Sequence, residues 1–335
     1  MSTHFQTSRY AAILALIATL IPLPARAGQI GIPINANGFA FINFDPFSPG
    51  TFALSNSNGI SNRGHVVVTV TDANGNFSNF TGTPARTIAL NIGPGGAMAL
   101  GMNSAGTIVG TQNNAAFLLR PKGTPEPLPS PVGATSAFGI NDKGQVVGQF
   151  TNSNGQMVGF FLRNMNGAAV PIYAPSGPNI VNAQGVNNFG LIVGFYVGSD
   201  GQTHGFLANA STEHNGVLVG TAVPDPQIPS VPGEPGATFV FSQLLGVNDG
   251  GIAVGYYGDS TVSQHGFLYD TNTGTYTFLD DPAEAFNNGV EVTQITGISD
   301  SGELTGFYSD ANGLFHSFTA CPPYAFCPNY PNDLP

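Results

Sequence analysis

The chain has 335 residues, of which only 8% are charged, with 45 Gly, 26 Pro, 2 Cys and no Trp. Its formal net charge of −11 at pH 7 argues against nucleic acid and anionic membrane surfaces as partners. Gly and Pro at this level would indicate disorder if scattered, but here they fall between β-branched and aromatic runs, which is the all-β pattern.

The first residues read as a secretory signal. Arg9 supplies a positive start, Ala11 to Leu23 an apolar stretch, and Ala25-Arg26-Ala27 a small-x-small cleavage site, so the mature chain is expected to begin near Gly28. The apolar run is too short to span a bilayer, and no Cys follows the cleavage site to carry a lipid anchor. The expected organisation is therefore a signal peptide at 1–27, a β-propeller domain at 28–320 and a disulfide-bearing tail at 321–335. The product is expected outside the cytoplasm, extracellular or periplasmic.

Beyond the signal, Gly38-Phe39-Ala40-Phe41-Ile42-Asn43-Phe44-Asp45-Pro46 resembles Tyr276-Thr277-Phe278-Leu279-Asp280-Asp281-Pro282, a strand far downstream. From the first of them onward, one unit recurs. Its copies begin at Gly59, Gly101, Gly139, Gly185, Gly246 and Gly297, at intervals of 42, 38, 46, 61 and 51 residues. A period of this size is the signature of a solenoid or a propeller.

Each copy decodes into strands. An apolar entry such as Ala137-Phe138-Gly139-Ile140 runs into Asn-Asp-x-Gly, where Gly144 suits the positive φ of a tight hairpin. A β-branched run follows, as in Val146-Val147 or Ile192-Val193, and then a second polar turn such as Asn152-Ser153-Asn154-Gly155. A third strand carries Phe160-Phe161-Leu162 or Phe267-Leu268, and a fourth is Ala169 to Tyr173 or Thr275 to Leu279. Four-stranded antiparallel units repeated radially are propeller blades. A right-handed β-helix has shorter coils and lacks the paired hairpin turns. The Gly297 copy lacks a fourth strand of its own, so residues 38–44 are expected to complete it. The prediction is a six-bladed β-propeller of four-stranded antiparallel blades, closed by that N-terminal strand, which would hide two sheet edges.

The pattern G-[IV]-N-[DN]-x-G-x-x-V-G-x-[FY] followed by H-G-F-L resembles the extracellular HAF-type repeat of secreted bacterial proteins. The resemblance spans about residues 39–318. It implies a repeat fold and an extracellular setting, and it implies no activity.

If the first strand of each copy is innermost, the residue three before each repeat glycine faces a central channel. Those residues are Asn56, Met98, Ser136, Asn182, Gln243 and Gln294, five of them polar. The residues two before, Ser57, Ala99, Ala137, Ala183, Leu244 and Ile295, are expected between blades, as the strand period of two requires. A channel of amides is either a hydrated pore or a site for a sugar or peptide recognised by hydrogen bonds. Asn56, Ser136, Asn182, Gln243 and Gln294 are the ligand-binding candidates.

Two long connections, Pro224 to Thr238 and Asp280 to Thr293, are expected on the face opposite the Asn-Asp-x-Gly turns. The second carries Asp280, Asp281, Glu284 and Glu291, which read as a solvated acidic loop, a carboxylate pair for acid/base chemistry or a Ca²⁺ site. Asn141-Asp142, Asn248-Asp249 and Ser299-Asp300 read as turn residues that cap local backbone. His204, His265 and His316 share one register, where hydrogen bonding across blades is expected in preference to catalysis or metal binding. Ser78, Ala115 and Val158 stand at that register in the other copies.

Without the signal, six basic residues face 19 acidic ones, and from residue 164 onward there are fifteen Asp and Glu with no Lys or Arg, which reads as a negative surface over half the ring. Cys321 and Cys327 read as a disulfide closing a small loop that pins the tail and matters little to the core. No GxSxG, HExxH, Walker A or Rossmann fingerprint is present. Three functional classes remain. The first is a binding scaffold for an extracellular glycan or protein. The second is a polysaccharide hydrolase or lyase using carboxylates of the loop face. The third is a structural component of the envelope or matrix.

Overall fold

In the computed structural model, the described residues are 34–36, 38–46, 52–93, 96–128, 134–175, 180–227, 237–285, 287–323 and 325–327. The expected signal at 1–27, the expected mature start at Gly28 and residues 328–335 of the tail lie outside them, as do 228–236 of the Pro224–Thr238 connection. The only helix among the described residues is a single turn, Ala210–Thr212; everything else regular is β. None is long and apolar enough to cross a membrane.

The Gly139 copy shows the unit plainly. Ala134–Ile140 pairs antiparallel with Val146–Thr151, which pairs with Met157–Leu162, which pairs with Val170–Tyr173. The turns are those the glycines announce, with Gly144 at φ 75° and Gly155 at φ 77°. The same order holds for the copies at Gly59, Gly101, Gly185 and Gly246. Such four-stranded antiparallel units, set side by side through their first strands, make a β-propeller.

What sets them side by side is a backbone contact. In every copy the first strand carries a bulge immediately before its glycine, for example between Ala137 and Gly139 or between Leu244 and Gly246. The bulge brings that glycine against the next copy. A Cβ built on Gly139 would lie 2.5 Å from Gln184 O and 3.1 Å from Gly185 Cα; one on Gly185 would lie 3.0 Å from Gly246 Cα, and one on Gly246 3.1 Å from Gly297 Cα. Gly59 abuts Gly101 in the same way, Gly101 abuts Gly139, and Gly297 meets Gly59 at 3.2 Å. Any side chain here would hold neighbouring copies apart.

A second glycine explains the Val-Gly of the motif. Gly148, Gly194, Gly255 and Gly306 pair across the sheet with Phe160, Phe206, Phe267 and Phe318. All four phenylalanines are buried. At Gly148 the Phe160 ring lies over the empty position, 2.7 Å from where a Cβ would stand, and the carbonyl of Ser136 is closer still. The aromatic ring fills the space the glycine leaves on the sheet face. The buried cores between copies follow, with residues such as Val147, Phe161, Val181, Ala183 and Phe206 in one cluster and Val254, Leu279, Ile295 and Phe318 in another.

The Gly297 copy supplies Thr293–Ile298, Leu304–Ser309 and Phe315–Cys321. Its outer partner is Phe39–Phe44, antiparallel from Ala40 opposite Cys321 to Phe44 opposite Ser317, with Ile34–Ala36 added outside it. The rings of Phe41 and Phe318 pack 5.3 Å apart. The long step from Gly185 to Gly246 is used partly by Leu218–Val219, which pairs in parallel with Val170–Tyr173 of the preceding copy, and by the outer strand Thr221–Ala222.

Cys321 and Cys327 form the expected disulfide. Its place corrects the reading that it matters little to the core. Both sulfurs are buried, and the bridge packs against Ala40 and Ile42 of the N-terminal strand. The tail loop therefore lies over the segment that adds to the last copy.

Two predictions follow from this packing. Gly148→Ala should lower stability by about 1–3 kcal/mol or more through overpacking, read as a fall in the thermal midpoint. Reducing the disulfide, or Cys321→Ser with Cys327→Ser, should cost roughly 2 kcal/mol by loop entropy. Hydrogen exchange should then rise first in residues 39–44, and uniform exchange across the copies would contradict the clamp.

Candidate functional site

The first strands enclose a cavity of about 530 Å³. Asn56, Met98, Ser136, Asn182, Gln243 and Gln294 all line it, while Ser57, Ala99, Ala137, Ala183, Leu244 and Ile295 are buried between copies. Residues the sequence reading passed over line it too. Thr111, Gln149, Phe195, Tyr256 and Phe307 pair across the sheet with Met98, Ser136, Asn182, Gln243 and Gln294. Each stands directly after the Val-Gly or Thr-Gly of its copy, so the motif position written as x was the signal. The bulged residues Asn58, Phe138, Gln184 and Thr296 also reach the cavity.

The wall therefore mixes amides with apolar side chains of the first strands, such as Met98, Leu100 and Leu245, and with aromatic rings, of which Phe195, Tyr256 and Phe307 follow one another in consecutive copies. Tyr256 donates its hydroxyl to Gln243 Oε1 at 3.0 Å and meets Phe241 edge-on. Gln184 donates to Asn182 Oδ1 at 2.8 Å, and Gln294 donates to Gln264 Oε1. Asn56 Oδ1 accepts no hydrogen bond from the protein. Among the described residues that line it there is no Lys, Arg or His.

At the Asn-Asp-x-Gly end the copies are tied by side chains. Asn141 Oδ1 accepts from Lys143 N and Gln145 N, capping its own turn, while its Nδ2 donates to Asn187 O of the next copy. Asn103, Asn187 and Asn248 donate onward in the same way. The following residue has a different task from the local capping expected of it. Asp142 accepts from Ser104 N and Ser104 Oγ, Asp249 from Asn188 N and Nδ2, and Asp300 from Asp249 N and Asn62 Nδ2. These carboxylates bridge copies and line the cavity. Burial, joined by the nearby charges of Asp249 and Asp142, raises Asp300 above the usual carboxylate range.

The loop acids are placed elsewhere. None of Asp280, Asp281, Glu284 and Glu291 lines the cavity. Nor do they form a solvated loop: Asp281 and Glu291 are buried, and Asp280 and Glu284 half-buried. Asp280 accepts from Gly266 N and pairs with His265 Nδ1 at 3.0 Å. Asp281 accepts from Asn43 Nδ2 and Ala283 N; Glu284 accepts from Thr293 Oγ1. Burial, reinforced by Asp280 and the other acids, pushes Glu284 up to about 9. Burial pushes Asp281 up to about 6. Among the described residues no group of three or more His, Cys, Asp or Glu is arranged to hold a metal, so the Ca²⁺ reading of these four acids gains no geometry.

The three histidines share one construction, and it lies within a copy, not across copies as expected. His204 sits between Asp225 at 3.0 Å and Asp200 at 3.1 Å. His265 sits between Asp280 at 3.0 Å and Asp259 at 3.6 Å. His316 sits between Asp45 at 2.8 Å and Asp310 at 3.5 Å. One carboxylate comes from the second turn and the other from the end of the outer strand. Burial would lower His316, but Asp310 and Asp45 outweigh it and raise it to about 9. Burial opposes the shift of Asp310 as well, yet its hydrogen bonds hold it down at about 2.

No family model matches the chain, and no curated protein matches it. Several solved structures are similar to it at low identity. A TolB-type protein of Agrobacterium tumefaciens is 12% identical, with a TM-score of 0.48, over 68% of this chain and 74% of that one. The β-propeller domain of the Trilobed protease of Pyrococcus furiosus, described as having an open velcro topology, is 10% identical, with a TM-score of 0.45, over 88% and 95%. The lectin of Aleuria aurantia in complex with α-methyl-L-fucoside is 11% identical, with a TM-score of 0.43, over 84% and 99%.

The histidine at the N-terminal strand gives a pH prediction. His316 binds its proton more tightly folded than unfolded, so its stabilisation is complete below about 6.5 and is lost as pH rises through about 9. Glu284 acts in the same direction, because its raised value also favours the protonated folded state. Thermal stability should therefore decline from pH 6.5 to 9, and His316→Gln should flatten that slope. An unchanged slope in the variant would remove His316 from the account.

Proposed function

We propose that this chain is an exported binding scaffold: a closed, six-bladed β-propeller of HAF-repeat type whose central cavity takes a neutral, hydroxylated ligand of the glycan class. The cyclic order of glycine contacts, from Gly59 through Gly297 and back to Gly59, supports six blades in a closed ring. The antiparallel pairing of Phe39–Phe44 with Phe315–Cys321 supports closure by the N-terminal strand. The signal-like start and the disulfide support an extracellular or periplasmic place.

One observation carries the ligand class. Among its described residues the cavity wall combines amides with aromatic rings, Phe195, Tyr256 and Phe307 of consecutive copies among them, and holds no basic side chain. Amides match hydroxyl donors and acceptors without ion pairing. Aromatic faces add apolar contact area with specific geometry. The three Asp residues of the lining disfavour uronates and sulfated sugars, because like charge would be brought into a partly closed space. The hydrolase reading rests on carboxylates of the loop face, Asp280, Asp281 or Glu284, and these lie off the cavity in a cluster with His265 and Thr293. The Asp142, Asp249 and Asp300 carboxylates that do line it are held in hydrogen bonds between copies.

A glycan array probed with the mature chain should show binding to neutral saccharides and none to polyuronates. Asn182→Ala and Gln243→Ala should each weaken the best neutral hit tenfold or more, about 1.4 kcal/mol. Variants that bind as tightly as the parent would move the site off the cavity.

A further inference from the structure

The two ends of the cavity differ, and the difference decides which part of a ligand fits. At the Asn-Asp-x-Gly end the side chains form a closed hydrogen-bonded circuit. Asn62 Nδ2 lies 2.6 Å from Asp300 Oδ2 and 3.3 Å from Asp142 Oδ2. Asp142 N donates to Asn188 Oδ1 at 3.0 Å, and Asn188 Nδ2 donates to Asp249 Oδ2 at 2.9 Å. Asp249 N donates to Asp300 Oδ1 at 2.8 Å, and Asp300 N returns to Asn62 Oδ1 at 2.7 Å. Asn62 thus reaches past Ser104, whose copy lies between the Gly59 and Gly139 copies, to meet Asp142. Side chains of copies two steps apart touch, so the bore at this end is drawn in to the width of the circuit.

The collar is also stiff. Backbone N–H groups of Ser104, Asp142, Asn188, Asp249 and Asp300 each donate to a side chain of the next copy. Opening it means breaking contacts anchored in tight turns, not merely rotating a side chain. The opposite end has no such circuit among its described residues. From Asn56 to its end at Ile60 the first strand rises roughly 13 Å, and Asn62 stands in the turn beyond it. The cavity is a socket with a floor.

We infer that this socket recognises the end of a neutral glycan chain and excludes its interior, an inference that rests on the saccharide reading of the cavity given above. An internal segment would have to leave through the collar, where side chains of copies two steps apart already meet in hydrogen-bond contact and stand in its path. A chain end needs only one opening. The terminal sugar would meet the collar carboxylates, which accept hydrogen bonds from its hydroxyls, while the following units lie against Tyr256 and its neighbours.

The test uses dextran, pullulan, galactomannan, arabinoxylan and laminarin as probes, each presented whole and after partial hydrolysis to oligosaccharides. For an end reader, the protein bound at equal polymer mass rises in proportion to the number of chain ends. Asn62→Ala, checked for an unchanged thermal midpoint, should narrow the preference for cut over whole polymer, because it removes the contact that crosses the bore. Binding that depends on mass alone, unaffected by cutting, overturns end recognition while leaving the saccharide reading intact. Absence of binding to every probe, cut or whole, overturns both.

Discussion

The contact on which this molecule depends is backbone against backbone, between the first strand of one copy and the first strand of the next. Six glycines make it possible, because carbonyl oxygens and α-carbons stand where any Cβ would have to go. Close approach at that level fixes three other things. It requires the bulge that precedes each glycine, since two regular strands could not be brought together at one point and splayed elsewhere. It fixes which residues turn inward, placing the amides on the cavity and the small residues between copies. It also leaves polar backbone at the junction to be satisfied, which the turn asparagines do by donating to the neighbouring copy's carbonyl. The inner part of the junction is therefore a polar clasp, with the apolar clusters lying further out.

Much of this was legible in the sequence because it is periodic. Gly139, Gly148 and Gly159 each mark a different contact: the next first strand, the overlying Phe160, and Val181 of the next copy. Counting back three positions from the repeat glycine reached the cavity in every copy. The same counting, applied to the residue after Val-Gly, would have found Gln149, Phe195, Tyr256 and Phe307. What could not be counted was burial. Asp280, Asp281, Glu284 and Glu291 look like a wet acidic loop in one dimension, because nothing in their spacing shows Asn43, from 238 residues earlier, donating to Asp281. Asp142, Asp249 and Asp300 read as turn caps in one dimension because the turn is local and the partner is not.

The lopsided charge has an internal explanation. The copies at Gly59, Gly101 and Gly139 have Ser78, Ala115 and Val158 at the third-strand register and no histidine there. The copies at Gly185, Gly246 and Gly297 have a histidine flanked by two aspartates each. Carboxylates concentrate after residue 164 in part because the cations they answer are there, as imidazoles instead of Lys or Arg. Asp259, Asp281, Glu291 and Glu303 are buried. A buried charge is tolerated only where it is paired or hydrogen-bonded, so the surface field is weaker than a residue count implies.

That wiring also explains the N-terminal strand. Asp225 and Asp280 follow the outer strands of their own copies and hold His204 and His265. His316 has no such residue downstream, since the chain turns into the Cys321–Cys327 loop instead. Asp45 fills the vacancy from the other end of the sequence, two residues past Asn43, which pairs with Phe318, as Asp280 is two past Phe278, which pairs with Phe267. The early strand thus brings both halves of what a fourth strand supplies, its backbone ladder and its carboxylate. The aromatic stack of Phe41 on Phe318 and the disulfide over Ala40 and Ile42 then add what the other copies gain from chain continuity. A strand detached from its copy by the whole length of the chain has lost the local tether that keeps the others in register. The ion pair and the ring contact have counterparts in other copies; the covalent clamp stands at the one junction where that tether is missing.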